Sequence, residues 1–285
     1  MPRPGVPQIE TDPAILRQHV LDAAAAGRRV GFVPTMGALH AGHLSLVKAA
    51  ADCDDVVVSI FVNPTQFGPG EDFERYPRSL QADCELLADV GVRWVFAPPV
   101  EAIYPAGDAT RITVDGPSRR WEGEHRPGHF QGVATVVGKL FMMVPAAAAY
   151  FGAKDWQQTV VVRRMVRDLA IPIEVVVCPT MREPDGLAMS SRNVYLSADE
   201  RQRAVSLSAG LTEARRVWRE GANVATAERA LREPLTHHAV QVDYAVLVDP
   251  TTLEPLPAQA SGVPAIALVA GRVGSTRLID NLLLS

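Results

Sequence analysis

Cysteine is scarce in this chain, runs of one charge sign are missing, and no apolar stretch is long. Three cysteines in 285 residues, Cys53, Cys84 and Cys178, are an odd number at wide spacing. They argue against a disulfide framework and fit small core residues in a reducing compartment. The apolar run 56–62, like the others, falls well short of the roughly 20 residues that a membrane span needs. The opening stretch, residues 1–10, has no apolar core of signal-peptide length. These absences predict a cytoplasmic protein with no membrane partner. A net charge of −4, with charges dispersed, gives no basic surface for nucleic acid. Internal repeats, heptads and low-complexity tracts are also missing.

What is present describes an ordinary globular chain, 47% hydrophobic and 21% charged, long enough for one large or two moderate domains. Apolar runs at 30–33, 56–62, 94–96, 149–151 and 173–178 alternate with helical patterns near 44–51, 80–88, 133–144 and 157–169. That order predicts an α/β fold, a Rossmann-like doubly wound parallel sheet, whose ligands lie beyond the carboxyl ends of its strands. After Asn193 the texture changes. Ser197 begins a long Ala/Arg/Leu helix, with Asp199 and Glu200 complementing its dipole. A further helix near 225–232 and strands at 242–248, 265–270 and 275–282 predict a smaller α+β domain. The expected division is 1–186 and 187–285.

The densest chemistry lies where the first apolar run becomes a helix, in His40-Ala41-Gly42-His43. Orphan N–H groups and the positive dipole end of a helix attract anions, and Gly42 leaves room for a close ligand. The two histidines would flank a bound phosphate. Taken alone, the tetrapeptide could also be a chance pattern or a metal site, although no cysteine or Glu-x-x-His partner lies nearby.

Other strand ends carry polar groups. Asn63-Pro64-Thr65-Gln66 ends a buried strand and presents Gln66, an amide able to donate and accept; it also reads as a plain turn. Gly152-Ala153-Lys154-Asp155 supplies a point charge suited to phosphate, an aspartate that could cap the next helix, and Gln158 one turn on. Met189-Ser190-Ser191-Arg192 follows a glycine-containing loop with two hydroxyls and a guanidinium, which together suit a polyphosphate or a loop that satisfies its own backbone. Arg126-Pro127-Gly128-His129 reads as a mobile basic flap or a simple turn.

In this order, the His-x-Gly-His pair and the Met-Ser-Ser-Arg loop resemble the two phosphate motifs of the adenylyl-transfer superfamily, which includes class I aminoacyl-tRNA synthetases and nucleotidylyltransferases. Segments 34–43, 59–67, 126–130, 151–158, 185–193 and 277–281 more closely resemble the pantoate–β-alanine ligase (pantothenate synthetase) family. The resemblance implies an ATP site at Met36, Gly37, Ala38, Leu39, His40, Ala41, Gly42, His43, Gly152, Ala153, Lys154, Asp155, Met181, Met189, Ser190, Ser191 and Arg192. It implies pantoate and β-alanine binding by Gln66 and Gln158, and catalytic roles for His43, as the proton donor, with His40, Lys154, Ser190, Ser191 and Arg192. It further implies ATP and Mg2+, with Asp83 a weak metal ligand because Ala82 breaks the acidic cluster of some relatives. A homodimer is also implied; because an acyl adenylate exposed to water is hydrolysed, the Met-Ser-Ser-Arg loop and the smaller domain 187–285 are expected to close as a lid. Ala153, Trp156 and Met181 depart from the family pattern. Competing readings are another adenylyl-transfer enzyme, disfavoured for tRNA by the acidic balance, and a non-catalytic nucleotide-binding protein.

Overall fold

The computed structural model describes residues 5–284. The first four residues of the amino-terminal stretch read above lie outside that range. The chain divides into two compact units: Met1–Gly152 with Val161–Cys178, and Ala153–Val160 with Pro179–Ser285. Residues 179–186 and the short stretch 153–160 thus go with the second unit, where the division expected at 187 had placed them with the first.

The first unit is an α/β layer structure around one parallel sheet. Its strands are β1 (Gln8–Glu10), β2 (Val30–Thr35), β3 (Asp55–Ile60), β4 (Trp94–Phe96), β5 (Ala148–Gly152) and β6 (Glu174–Cys178), in spatial order β1-β4-β3-β2-β5-β6. The order reverses between β2 and β5, so the carboxyl ends of those two neighbours form the switch point where such sheets bind ligands. The intervening helices are α1 (Pro13–Ala25), α2 (Ala41–Ala49), α3 (Leu80–Ala88), α4 (Val100–Ile103), α5 (Glu122–His125), α6 (His129–Met143) and α7 (Trp156–Asp168).

Successive strand residues point to opposite faces, and the two cores follow that period of two. Phe32, Val57, Phe96, Ala149 and Phe151 face one way, onto Leu16 and Val20 of α1, Val133 and Phe141 of α6, and Val161 and Met165 of α7. Val33, Val56, Val58, Val95 and Tyr150 face the other way, onto Leu46 and Val47 of α2 and Leu87 of α3. Burial on both faces explains why these strands read as continuous apolar runs. Neither α1 nor β1 is visible as a run. Asp12 nevertheless caps α1 through Ala14 N (2.7 Å) with Pro13 in the first turn, a start signal present in the sequence.

The second unit holds an antiparallel sheet, β7 (Gln241–Val248), β8 (Ile266–Val273) and β9 (Thr276–Leu283) in that order, with helices α8 (Ala198–Ala204), α9 (Ser206–Arg219) and α10 (Val224–His237). Leu207, Leu211 and Trp218 of α9 and Leu231 and Leu235 of α10 share a core with Leu247, Val269 and Leu278 of the sheet. Ser197 caps α8 in a capping box with Glu200. The long helix expected after it is two helices meeting at Val205, where the Ser206 hydroxyl donates back to the Arg203 carbonyl at 2.6 Å. Among the described residues no helix is long and apolar enough to cross a membrane.

Candidate active site

Strand β2 closes on Pro34 and Thr35, and the chain turns through two left-handed residues, Gly37 (φ +78°) and Ala38 (φ +51°), into α2. A Cβ on Gly37 would lie 2.9 Å from an Asp83 carboxylate oxygen, so glycine is needed there for both its φ and its size. Asp83, on α3, is buried. Its Oδ1 accepts from Leu39 N (2.8 Å) and its Oδ2 from Ala38 N (3.0 Å). Burial pushes its carboxyl upward, against the pull of those two donors. Both oxygens thus already accept from the loop, and the weak metal-ligand role expected of Asp83 stays a proposal; among the described residues no group of three or more His, Cys, Asp or Glu is placed to hold a metal.

His40 is the N-cap of α2. Its Nδ1 accepts from Gly42 N (3.1 Å), while Nδ1 of His43 accepts from His40 N (3.3 Å), a reciprocal capping box closed by two imidazoles. Because each Nδ1 is an acceptor, the neutral form of each ring carries its proton on Nε2. The ring centroids are 4.1 Å apart. The helix start therefore sets two imidazoles beside its own positive dipole end, which suits an anion.

Asn63 ends the strand region and caps a single 3-10 turn, Pro64–Gln66. Its Nδ2 donates to Gln66 Oε1 (3.0 Å) and its Oδ1 accepts from the Tyr104 hydroxyl (2.8 Å). The Gln66 amide is thereby oriented, with Nε2 toward Met36 Sδ at 3.1 Å. Gly132 of α6 lets that helix approach the turn: a Cβ there would lie 2.4 Å from the Thr65 carbonyl. Behind the turn, the Gln66 carbonyl accepts from His129 Nδ1 (2.9 Å) and Arg126 Nη2 (3.3 Å), and Arg126 pairs with Glu71 at 2.7 Å. Burial, with the Arg126 charge adding to it, lowers the His129 pKa to about 4. Burial of Glu71 pushes its pKa up, but the Arg126 hydrogen bond and charge outweigh that and hold it below its ordinary value. Of the flap and the turn that 126–129 could be, the segment is neither a free flap nor a bare turn but a packed brace opening α6, because the Arg126 guanidinium and the His129 imidazole both have partners under the Gln66 turn. His129 is only 9% exposed.

Gly152 closes β5, next to β2 in the sheet. The remaining candidate residues belong to the second unit. Lys154 Nζ lies 3.7 Å from Asp155 Oδ1 in a 3-10 turn, and Gln158 is half-buried in the first turn of α7. Trp156 donates its indole N–H to the Pro250 carbonyl (2.9 Å), which gives the larger aromatic a partner. Met181 and Met189 face one another in a hairpin, Met189 N to Met181 O at 2.9 Å, with the Met181 side chain exposed. Ser190 Oγ accepts from Arg192 N (3.2 Å) and starts the 3-10 turn Ser191–Tyr195. Two carbonyls beside Lys154 and the hairpin itself are held by Asp280 and Asn281 of β9, residues whose part the local pattern did not reveal.

The chain resembles known proteins over nearly its whole length. The family model described as Pantoate-beta-alanine ligase matches residues 8–283. A pantothenate synthetase of Thermus thermophilus is 56% identical over 267 residues, 92% of this chain and 95% of the relative, and one of Acidobacterium capsulatum is 55% identical over 269 residues, 90% and 86% respectively. A crystal structure of pantothenate synthetase from Thermus thermophilus superposes with a TM-score of 0.91 at 53% identity, covering 97% of this chain and 99% of that one. A pantoate-beta-alanine ligase from Francisella tularensis, solved in complex with beta-gamma ATP and beta-alanine, superposes with a TM-score of 0.80 at 34% identity, covering 98% of each. With nearly its whole length matched by the family model and by relatives over half identical, the chain belongs to the pantoate–β-alanine ligase family.

Proposed function

We propose that the protein joins pantoate to β-alanine at the expense of ATP, releasing AMP and pyrophosphate through a pantoyl-adenylate intermediate. A carboxylate is a poor electrophile toward an amine at neutral pH, so its oxygen must first become part of a good leaving group. In the first step the pantoate carboxylate attacks the α-phosphorus in line, and the bond to the pyrophosphate oxygen breaks. In the second, the β-alanine amine attacks the acyl carbon, the bond to the AMP oxygen breaks, and the amine gives up a proton.

The observation that carries this reading is the His40–His43 pair, each ring anchored through Nδ1 at the start of α2. That anchoring turns Nε2–H groups to the role of donors, where charge builds on the phosphates. Met36 to His43 and Gly152 to Asp155 would take ATP, with Met181 offering its backbone to adenine and Met189 to Arg192 binding the phosphates. Lys154, Ser190, Ser191 and Arg192 would offset phosphate charge, and His43 would serve as the proton donor. Gln66, its Oε1 held by Asn63, offers Nε2 to an oxygen of pantoate. Gln158 is the second amide for the organic substrates.

Magnesium, expected from the family resemblance, would arrive on the triphosphate with most of its waters, as this hard, reluctantly dehydrated ion usually does. A homodimer and a cytoplasmic setting belong to the same reading; the three free cysteines support a reducing compartment. The test is pantoate-dependent exchange of labelled pyrophosphate into ATP, followed by AMP release only once β-alanine is added. Exchange with an unrelated acid, or none, rejects the reading.

A further inference from the structure

Two residues of β9 hold together two segments of the second unit that the proposed function assigns to phosphate. Asn281, almost fully buried, donates from a single Nδ2 to two successive carbonyls, Ala153 O (2.9 Å) and Lys154 O (2.7 Å). Its backbone N–H donates to Asp280 Oδ1 at 2.7 Å. Asp280, whose side chain is 1% exposed, takes Arg182 in a two-pronged pair, Nη1 to Oδ2 at 2.6 Å and Nη2 to Oδ1 at 2.9 Å. Arg182 then reaches the Gly186 carbonyl (3.0 Å) and the Asn281 carbonyl (3.3 Å). Arg182 also bridges to Ala188, the residue before Met189, so the hairpin that launches residues 189–192 is fixed to the same strand.

We propose that Asn281 is a positioning residue for Lys154, and that the Asp280–Arg182 pair does the same for the Met189–Arg192 loop. Lys154 lies in a three-residue 3-10 turn, which has few hydrogen bonds of its own to hold its backbone. Its long side chain reaches a phosphate only from a defined Cα position, and a displacement of about 1 Å at a charged group can cost on the order of 10²-fold in rate. Two charge-free hydrogen bonds to consecutive carbonyls define that position, and they need an NH2 donor at a fixed height. The bidentate guanidinium pair adds a planar constraint that Lys at 182 could not reproduce. The same buried motif thus fixes one strand of sheet to two separate loops that the adenylation reading assigns to phosphate.

The inference rests on that reading and is tested through coupling. Single-turnover pyrophosphate release from ATP and pantoate is measured for the full chain, Asn281→Asp, Lys154→Ala and the double variant. Asn281→Asp keeps the size but sets a carboxylate against two carbonyl oxygens, and the expected loss is about tenfold or more. In the Lys154→Ala background the same change is expected to cost less than about twofold, because the group it positions is gone. Equal losses in both backgrounds, or a rate for Asn281→Asp within about twofold of the parent, overturn the inference. Should circular dichroism show Asn281→Asp unfolded, Asn281→Ser is held to the same two criteria. A parent chain with no pantoate-dependent release overturns the adenylation reading itself, whereas an active parent with additive variants overturns the positioning role alone.

Discussion

Asp83 Oδ1 and the backbone N–H of Leu39 meet at 2.8 Å across 44 residues of sequence, with Ala38 N held by the other carboxylate oxygen. After the consecutive left-handed residues Gly37 and Ala38, two adjacent N–H groups, those of Ala38 and Leu39, both meet this one carboxylate. That pairing fixes the loop before α2, and the proposed adenylation leaves phosphate to the helix start and the imidazoles.

Asp83→Asn separates bracing from metal binding. An amide offers one acceptor oxygen where two donors wait, leaving a buried N–H unpaired at a cost of about 1–3 kcal/mol. A lower melting temperature and weaker ATP binding are expected, with the Mg2+ concentration for half-maximal pyrophosphate release unchanged within about twofold. A tenfold rise in that concentration would return Asp83 to the metal.

Sequence patterning was enough for five of the sheet's six strands, because the strands of its middle are buried on both faces and announce themselves as apolar runs, as at 56–62 for β3; the short, largely exposed β1 made no such run. It was enough for the histidine pair because a strand-to-helix turn is a local event. It failed where meaning comes from distant partners. Arg126 and His129 look like a free basic flap until Glu71 and the Gln66 carbonyl are seen beneath them. Asn281 was visible only as part of a family match, because no local pattern tells that its amide reaches Ala153 and Lys154. The brace that Asp83 gives the loop was hidden in the same way, since an acidic residue near a phosphate motif gives no sign that two backbone donors 44 and 45 residues away meet it.

Histidine 129 predicts acid sensitivity below neutrality. Its folded pKa of about 4 lies below the ordinary 6.5, so the folded protein keeps it neutral while the unfolded chain takes up a proton. The stability it contributes is complete above pH 6.5 and is lost as pH falls toward 4, amounting to about 2 kcal/mol between pH 7 and pH 5. Glu71, whose folded pKa is lowered from 4.5, adds its loss only below that window. Urea midpoints at pH 7 and pH 5 check this against His129→Asn, which keeps a donor for the Gln66 carbonyl and cannot titrate. An equal drop in both proteins removes His129 as the cause.

Gln66→Ala should weaken pantoate binding by about tenfold or more, the scale of one lost hydrogen bond to a charged group, with ATP affinity kept within about twofold. Asn63→Asp should act in the same direction. It replaces the Nδ2 that faces Gln66 Oε1 by an oxygen and so turns the glutamine amide around. Calorimetric titration showing lost ATP binding with pantoate intact would reject the assignment of this turn to the organic acid.

His43→Ala and Lys154→Ala should each depress pyrophosphate release in a single turnover by about 10²-fold or more, the usual scale for a positioned charge or proton-transfer group. Alanine at 43 also opens the capping box by removing the acceptor for His40 N, so that variant alone mixes helix stability with chemistry. His43→Gln separates them. Glutamine at the third helical position is the ordinary partner in a capping box and can accept from His40 N, but its neutral amide cannot pass a proton to a leaving oxygen. Loss in both His43 variants, with melting temperature restored in His43→Gln, assigns the rate to the imidazole; a near-parental rate for His43→Gln would leave His43 a cap and no more.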